Sequence, residues 1–241
     1  MNELSALLKR SFEGLGYQQG EYEDAAAAVV WLEARGLNGI EMIASAWPRL
    51  ESGAKTQIDL TDDSVTLNAN GCSAVFCGRA VADLAAAGVG DSNVSCIEVR
   101  QCHDRKAIIS SLALCAAHDL FAIAHWYDDG KQHIVVAQAQ QSGCDYYCVA
   151  NNQDSDTKPE TLTISCACDG EKIMAMAFEL AGNEAKYHDG IKLRSTDMQE
   201  RYETTVAYGM TVKAATVSTL TVAADQVLIE ATEQSRLGAG E

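Results

Sequence analysis

The sequence predicts an α+β protein, in which an N-terminal helical segment is followed by a mostly antiparallel sheet with inserted helices. Three observations indicate this class. Apolar residues recur with a helical period over the first fifty residues, the period changes to two after Gly53, and Asp-Gly pairs then separate strand-like runs. Because helices come first and strands follow, the chain divides into a helical segment, residues 1–53, and an α+β domain, residues 54–241.

Three short helices are predicted in the N-terminal segment. The first carries one apolar stripe and closes at Gly14 and Gly16. The second covers residues 21–35, with acidic residues in its first turn and an arginine in its last, as the helix dipole favours. The third begins near Asn38 with a capping-box spacing, and Pro48 inside it should kink or shorten it.

The middle of the chain predicts an antiparallel meander. A first hairpin should turn at residues 61–63, and three Asp-Gly pairs follow, at 129–130, 169–170 and 189–190. Asp-Gly between strand-like runs favours a two-residue hairpin turn, so five or six strands are expected over residues 119–194. Residues 171–186 could instead be helical, because methionine and alanine favour helix.

The register of the hairpin at Asp129-Gly130 follows from its two-residue turn. His125 should face Ile134, and His133 should pair with Trp126. The two histidines would then point to opposite faces of the sheet, which argues against a shared metal ion.

The remaining elements are predicted from periodicity. Residues 79–87 and 105–117 have helical spacing, whereas residues 94–102 alternate as a strand. A last helix is expected to begin at Thr196, and residues 211–229, rich in valine, threonine and leucine, are predicted as strand.

The net charge of the chain limits the kinds of partner it can bind. It has 34 acidic residues against 18 basic ones, a net charge of −16, and no cluster of lysine and arginine. Nucleic acid and anionic membranes are therefore poor partners. No run of about 18 apolar residues occurs, the N-terminus has charges where a signal peptide is apolar, and nine cysteines suit a reducing compartment. A cytoplasmic protein is expected.

Known cofactor and catalytic motifs are missing from the sequence. It has no G-x-G-x-x-G after a strand, no P-loop and no G-x-S-x-G elbow, so no cofactor is predicted. The cysteine pairs 144/148 and 166/168 lack C-x-x-C spacing, so no metal is predicted either. Cys102 and His103 are adjacent in a strand-like run and should face opposite sides, which disfavours a catalytic dyad.

The C-terminal stretch "EATEQSRLGAGE" contains the candidate ligand site: Thr232, Glu233, Ser235 and Arg236. The guanidinium of Arg236 could bind the carboxylate or phosphate of a small anionic ligand, with hydroxyl groups beside it. The structural alternative is that Arg236 pairs with Glu230 or Glu233 and that Gly238 ends a short helix.

Two stretches resemble known families. Residues 31–44, "WLEARGLNGIEMIA", and residues 230–240 resemble the two ends of an uncharacterised bacterial domain-of-unknown-function family, which implies no activity. The N-terminal helices also resemble those of the malate/L-lactate dehydrogenase family that does not use the Rossmann fold. In that family an Asp-Ser-His segment carries catalytic chemistry, and here residues 37–40 (Leu-Asn-Gly-Ile) occupy those positions without a histidine.

Three functions follow from these observations. The first is a non-catalytic small-molecule-binding or accessory protein, because no catalytic constellation is found. The second is a nicotinamide-dependent oxidoreductase of the malate/L-lactate dehydrogenase type, which the second resemblance implies. The third is a structural subunit of a homo-oligomer.

Overall fold

The computed structural model describes residues 1–52, 59–60, 66–90, 93–150 and 160–227. Within these ranges the chain forms nine α-helices, eight strands and a 3₁₀ turn at Arg105–Ala107. The helices are α1 (Asn2–Gly14), α2 (Gln19–Ala34), α3 (Gly39–Ser52), α4 (Ala74–Ala87), α5 (Ile108–Ala117), α6 (Gly170–Ala181), α7 (Glu184–Gly190), α8 (Ser195–Tyr208) and α9 (Ala214–Asp225). The strands are β1 (Asp59–Leu60), β2 (Thr66–Asn68), β3 (Val94–Arg100), β4 (Phe121–Asp128), β5 (Lys131–Ala137), β6 (Cys144–Ala150), β7 (Leu162–Ala167) and β8 (Ile191–Leu193).

The described strands form one sheet in the order β1-β2-β3-β7-β4-β5-β6-β8. Strands β2 and β3 are parallel, and every other neighbouring pair is antiparallel. The α+β class and the mostly antiparallel sheet are therefore confirmed. No described helix meets the length and hydropathy needed to cross a membrane.

Helices cover both faces of the sheet. Because successive side chains of a strand point to opposite faces, Ala124 and Trp126 pack into the large core with α1–α5, whereas Ile123 packs on the other side. That second core is formed with α6 and α7, and Tyr187 is its largest fully buried side chain. Buried Leu220 adds α9 to the first core.

The hairpin at Asp129-Gly130 is confirmed with its register. Asp129 and Gly130 both have positive φ, 48° and 68°, as a type I′ turn requires. His125 pairs with Ile134 and Trp126 with His133, so the two histidines lie on opposite faces. Strands β1 and β2 also pair as the first predicted hairpin, whose turn at residues 61–63 lies outside the described residues.

The hairpin predicted at Asp169-Gly170 is wrong. The Asp169 carboxylate accepts the Glu171 N–H at 2.9 Å, and α6 begins at Gly170. Aspartate serves equally well as a helix N-cap and as a turn residue, so the pair alone does not distinguish the two structures. The helical alternative for residues 171–186 is the correct one. The third pair, Asp189-Gly190, ends α7 instead of turning a hairpin.

The strand predicted over residues 211–229 is also wrong, because residues 214–225 form α9. This helix lies against α1, where the Ser11 hydroxyl donates to the Leu220 carbonyl at 2.7 Å. The hydroxyls of Thr219 and Thr221 donate to carbonyls one turn earlier, so the helix satisfies them. Packing overrides the β propensity of valine and threonine here. Residues 228–241 lie outside the described residues.

The other predicted elements are present. The three N-terminal helices form, and Pro48 does not end α3, which continues to Ser52. Helix α4 begins at Ala74, five residues earlier than its apolar spacing predicts. The division of the chain into two parts stays a prediction, and residue 53 lies outside the described residues.

Candidate functional site

A cleft of about 350 Å³ opens where the turn between α2 and α3 meets the start of α9. Helix α2 contributes its last turn, α3 its first two turns, and the chain before α9 closes the other side. The lining residues are Glu33, Asn38, Ile40, Glu41, Ala44, Ser45, Thr211, Val212, Lys213 and Thr216.

The first turn of α3 is held tightly against α2. A Cβ atom on Gly39 would overlap the backbone carbonyl oxygen of Val29, so only glycine fits at this close approach. Asn38, just before it, has a positive φ of 55°, a conformation that asparagine tolerates better than most residues. The Ile40 N–H donates to the Glu33 carboxylate at 2.9 Å, which satisfies one helix-terminal donor. The cleft therefore has a fixed wall.

The cleft carries charges of both signs. Lys213 Nζ lies 3.8 Å from Glu41 Oε1, and both side chains are exposed. Lys213 is also the N-cap of α9, whose first turn has no side-chain cap. The positive end of the α9 dipole therefore lies on the same side of the cleft as the Lys213 ammonium group. The carboxylates of Glu33 and Glu41 supply the negative part of the lining.

Asn38 occupies the place where the malate/L-lactate dehydrogenase resemblance would put the catalytic segment. The exposed Asn38 and the buried Ile40 line the cleft, whereas Leu37 and Gly39 are buried and do not line it. All five histidines belong to the described residues, and none of them lines this cleft. The cleft is lined by the Asn38 amide and by no imidazole that could exchange a proton with a ligand.

A second polar group lies on the sheet, on the face that packs against α1–α5. The His133 ring stacks on Trp126 with 4.9 Å between ring centroids, and its Nδ1 lies 2.8 Å from the Tyr146 hydroxyl. Cys148 pairs with His133 in the register of β5 and β6. Burial lowers the pKa values of His133 and Lys106 and raises the pKa of Tyr146. The nearby Cys148, Glu41 and Glu33 partly offset the lowering of the Lys106 pKa.

The lining of this cleft does not fit a dinucleotide. Proteins bind its pyrophosphate with a glycine-rich loop at a helix N-terminus and with cationic side chains. The cleft offers one ammonium group, that of Lys213, against two carboxylates. The glycine of the α2–α3 turn, Gly36, is exposed beside the Arg201 side chain and does not line this cleft. One ammonium group beside two carboxylates does not match the two negative charges of a pyrophosphate.

The cysteines are all thiols. None of the nine is in a disulfide, and the described residues contain no group of three or more side chains able to hold a metal ion. Cys102 is buried, whereas His103 is half-buried and turns to Glu160, with 3.6 Å between Nδ1 and Oε1. The prediction placed the two residues on opposite faces of a strand, whereas β3 ends at Arg100, before both of them.

The ligand site predicted from the sequence falls in the C-terminal stretch. Thr232, Glu233, Ser235 and Arg236 lie outside the described residues. The cleft was missed because Glu33 and Lys213 are far apart in the chain and become neighbours only through the packing of α9. The dehydrogenase resemblance drew attention to the neighbouring "ARGLNG" turn, but only for its missing histidine.

The fold is similar to that of several dehydrogenases and a reductase of known structure. The malate dehydrogenase from Pyrococcus horikoshii OT3 is 12% identical with a TM-score of 0.66, over 95% of either chain. A putative malate/lactate dehydrogenase from E. coli is 9% identical with a TM-score of 0.64, over 97% of this chain and 96% of the other. The delta1-piperideine-2-carboxylate reductase from Pseudomonas syringae pvar. tomato is 12% identical with a TM-score of 0.58, over 92% and 98%.

These identities show a common fold and nothing about chemistry. By sequence, residues 1–74 match a family model described as "Protein of unknown function (DUF3726)". This matched region includes residues 31–44, on which the first resemblance is based. No curated protein matches the sequence. Both resemblances seen in the N-terminal part of the sequence are confirmed. The first is to a family of unknown function, and the second is to the fold of the dehydrogenases.

Proposed function

We propose that the protein binds a small zwitterion, of the size and charge of an amino acid, in the cleft between the α2–α3 turn and α9. The observation that carries this proposal is the lining itself. Two carboxylates and one lysine face the same cavity, and an asparagine stands where the dehydrogenase resemblance would place catalytic residues. The protein is then a binding protein on a dehydrogenase-type fold.

The charges suit such a ligand. An ammonium group would pair with Glu41 and Glu33, and a carboxylate would take the place of Glu41 beside Lys213, at the uncapped start of α9. Ser45 and Thr211 add hydroxyl groups that can donate or accept hydrogen bonds. A cavity of about 350 Å³ is at the small end of ligand sites and suits a metabolite of this size.

A ligand screen with two variants tests the proposal. Thermal-shift and calorimetric titrations would compare amino acids, hydroxy acids and 2-oxo acids. We expect an amino acid to bind best, and Lys213→Met to weaken its binding at least about tenfold, the loss for one charge-assisted hydrogen bond. Lys186→Met removes an exposed lysine from α7 and should leave binding unchanged. Equal affinity of parent and Lys213→Met, or no binding by any amino acid, would contradict the proposal.

The C-terminal prediction is a separate proposal. Arg236, with Thr232, Glu233 and Ser235, would bind a small anionic ligand, and Arg236→Ala belongs in the same screen. Loss of binding to hydroxy acids and 2-oxo acids in that variant alone would support a site at the C-terminal stretch.

A nicotinamide-dependent oxidoreductase is the second candidate. It is supported by the dehydrogenase fold and by the second polar group, where the amine of Lys106 has a lowered pKa near the Tyr146–His133 hydrogen bond. Such groups, with pKa values shifted by burial, suit acid–base chemistry. The described cleft does not fit the dinucleotide, which places this candidate second.

Two further expectations concern the state of the protein in the cell. We expect a cytoplasmic location, because nine cysteines without disulfides suit a reducing compartment. A homo-oligomer is the third functional candidate. Light scattering tests it, and a monomer would exclude the structural role.

A further inference from the structure

Two cysteines flank the start of α4 in a geometry that brings their side chains together. Ser73 is the N-cap of α4, and its hydroxyl accepts the Val75 N–H at 3.2 Å. Cys72 therefore occupies the position before the N-cap, and Cys77 is the fourth residue of the helix. Side chains at these two positions contact each other in the hydrophobic staple of a helix N-terminus. Here both members of the staple are thiols.

A third cysteine approaches the same point from the neighbouring segment. Ser73 and His103 form a parallel bridge, with the His103 N–H donating to the Cys72 carbonyl at 3.0 Å. In a parallel pair the preceding residues also lie side by side, so Cys102 is the neighbour of Cys72. Contact with the Cys102 thiol raises the pKa of Cys77, and the Cys72 thiol is its second sulfur partner. Three sulfur atoms thus meet at the base of α4.

The three thiols differ in their access to solvent. Cys77 and Cys102 are buried, with 3% and 0% of their surface exposed, whereas Cys72 is only half-buried. A small oxidant therefore reaches Cys72 first. Cys77 is buried, and the staple geometry holds its side chain against that of Cys72.

We propose that Cys72 and Cys77 are an oxidation site, at which a peroxide converts the two thiols to a disulfide across the start of α4. The Cys72 sulfur attacks one oxygen of the peroxide, the O–O bond breaks, and a sulfenic acid and water, or an alcohol from an organic peroxide, result. The Cys77 sulfur then attacks the Cys72 sulfur, the S–O bond breaks, and a second water leaves. The two sulfurs lose two electrons in total, which the peroxide takes up.

Peptide mapping of the folded protein tests the site. The full chain is treated with hydrogen peroxide, alkylated, and digested with trypsin. Cys72 and Cys77 remain together on the peptide that ends at Arg79, whereas Cys102 is on the peptide Gln101–Arg105. We expect the first peptide to lose two hydrogens and to escape alkylation, with both changes reversed by a thiol reductant.

Matched variants separate this site from general oxidation. Cys77→Ser should abolish the internal disulfide, and Cys102→Ser should leave it, with circular dichroism confirming that both variants fold. Cys115→Ser changes a buried cysteine that contacts Cys166 instead, and it should behave as the parent. A cross-linked product joining the two peptides would overturn the proposal, as would irreversible oxidation of Cys72 with Cys77 still alkylated.

Discussion

Replacing Trp126 with alanine is expected to lower the free energy of unfolding by about 3–5 kcal/mol, the range for removing a large buried side chain. Trp126 is 2% exposed and lies on β4, which has β5 and β7 on its two sides. Its ring stacks on His133 and, through it, on Tyr146. The variant would leave a cavity between the sheet and the helical layer, because the fixed backbone of a central strand cannot collapse to fill it.

Urea unfolding followed by far-ultraviolet circular dichroism measures this loss. Tyr208→Ala is the control, because Tyr208 is 88% exposed at the end of α8 and its removal should change stability by less than about 0.5 kcal/mol. If Trp126→Ala were as stable as Tyr208→Ala, the packing of the first core around β4 would be incorrect.

Replacing Gly39 with alanine should cost about 3 kcal/mol, the upper part of the range for overpacking. The added methyl group would overlap the Val29 carbonyl oxygen of α2, and a backbone atom cannot rotate away as a side chain can. Helices α2 and α3 would have to separate. Since Asn38 and Glu41 flank this residue in the cleft, ligand binding should weaken together with stability.

Gly20→Ala provides the matched control. Gly20 is also in the first turn of a helix, α2, but nothing lies within 4 Å of its added Cβ. This variant should be as stable as the parent or slightly more so, because alanine favours helix over glycine. Equal effects of the two substitutions would show that α2 and α3 do not approach closely at Gly39.

Local patterns predicted those elements that local chemistry determines. The first three helices, strand β3 and the hairpin at Asp129-Gly130 follow from apolar periodicity and turn residues, although β3 ends at Arg100 and not at residue 102. The register of β4 and β5 follows from the turn length. Asp169 was misjudged because a single aspartate caps helices and forms turns with similar preference. The next residues along the chain, not the pair itself, distinguish the two structures.

Long-range packing determined what the sequence did not predict. Residues 214–225 favour strand by composition, yet they form a helix that lies on α1 and buries Leu220. The cleft depends on that packing, since it brings Lys213 opposite Glu33 and Glu41. No local pattern relates residues so distant in sequence. By contrast, the resemblance at residues 37–40 did note that the histidine of the dehydrogenase segment is missing there, although it predicted no cleft.

Our central proposal is that the cleft of this dehydrogenase-like fold binds a small zwitterion and not a dinucleotide. Titration of the protein with NADH and NADPH, followed by nicotinamide fluorescence and by calorimetry, tests it most directly. With one lysine against two carboxylates in the cleft, we predict no saturable binding in the micromolar range. Saturable micromolar binding of either dinucleotide would contradict the claim and would make the oxidoreductase the leading candidate.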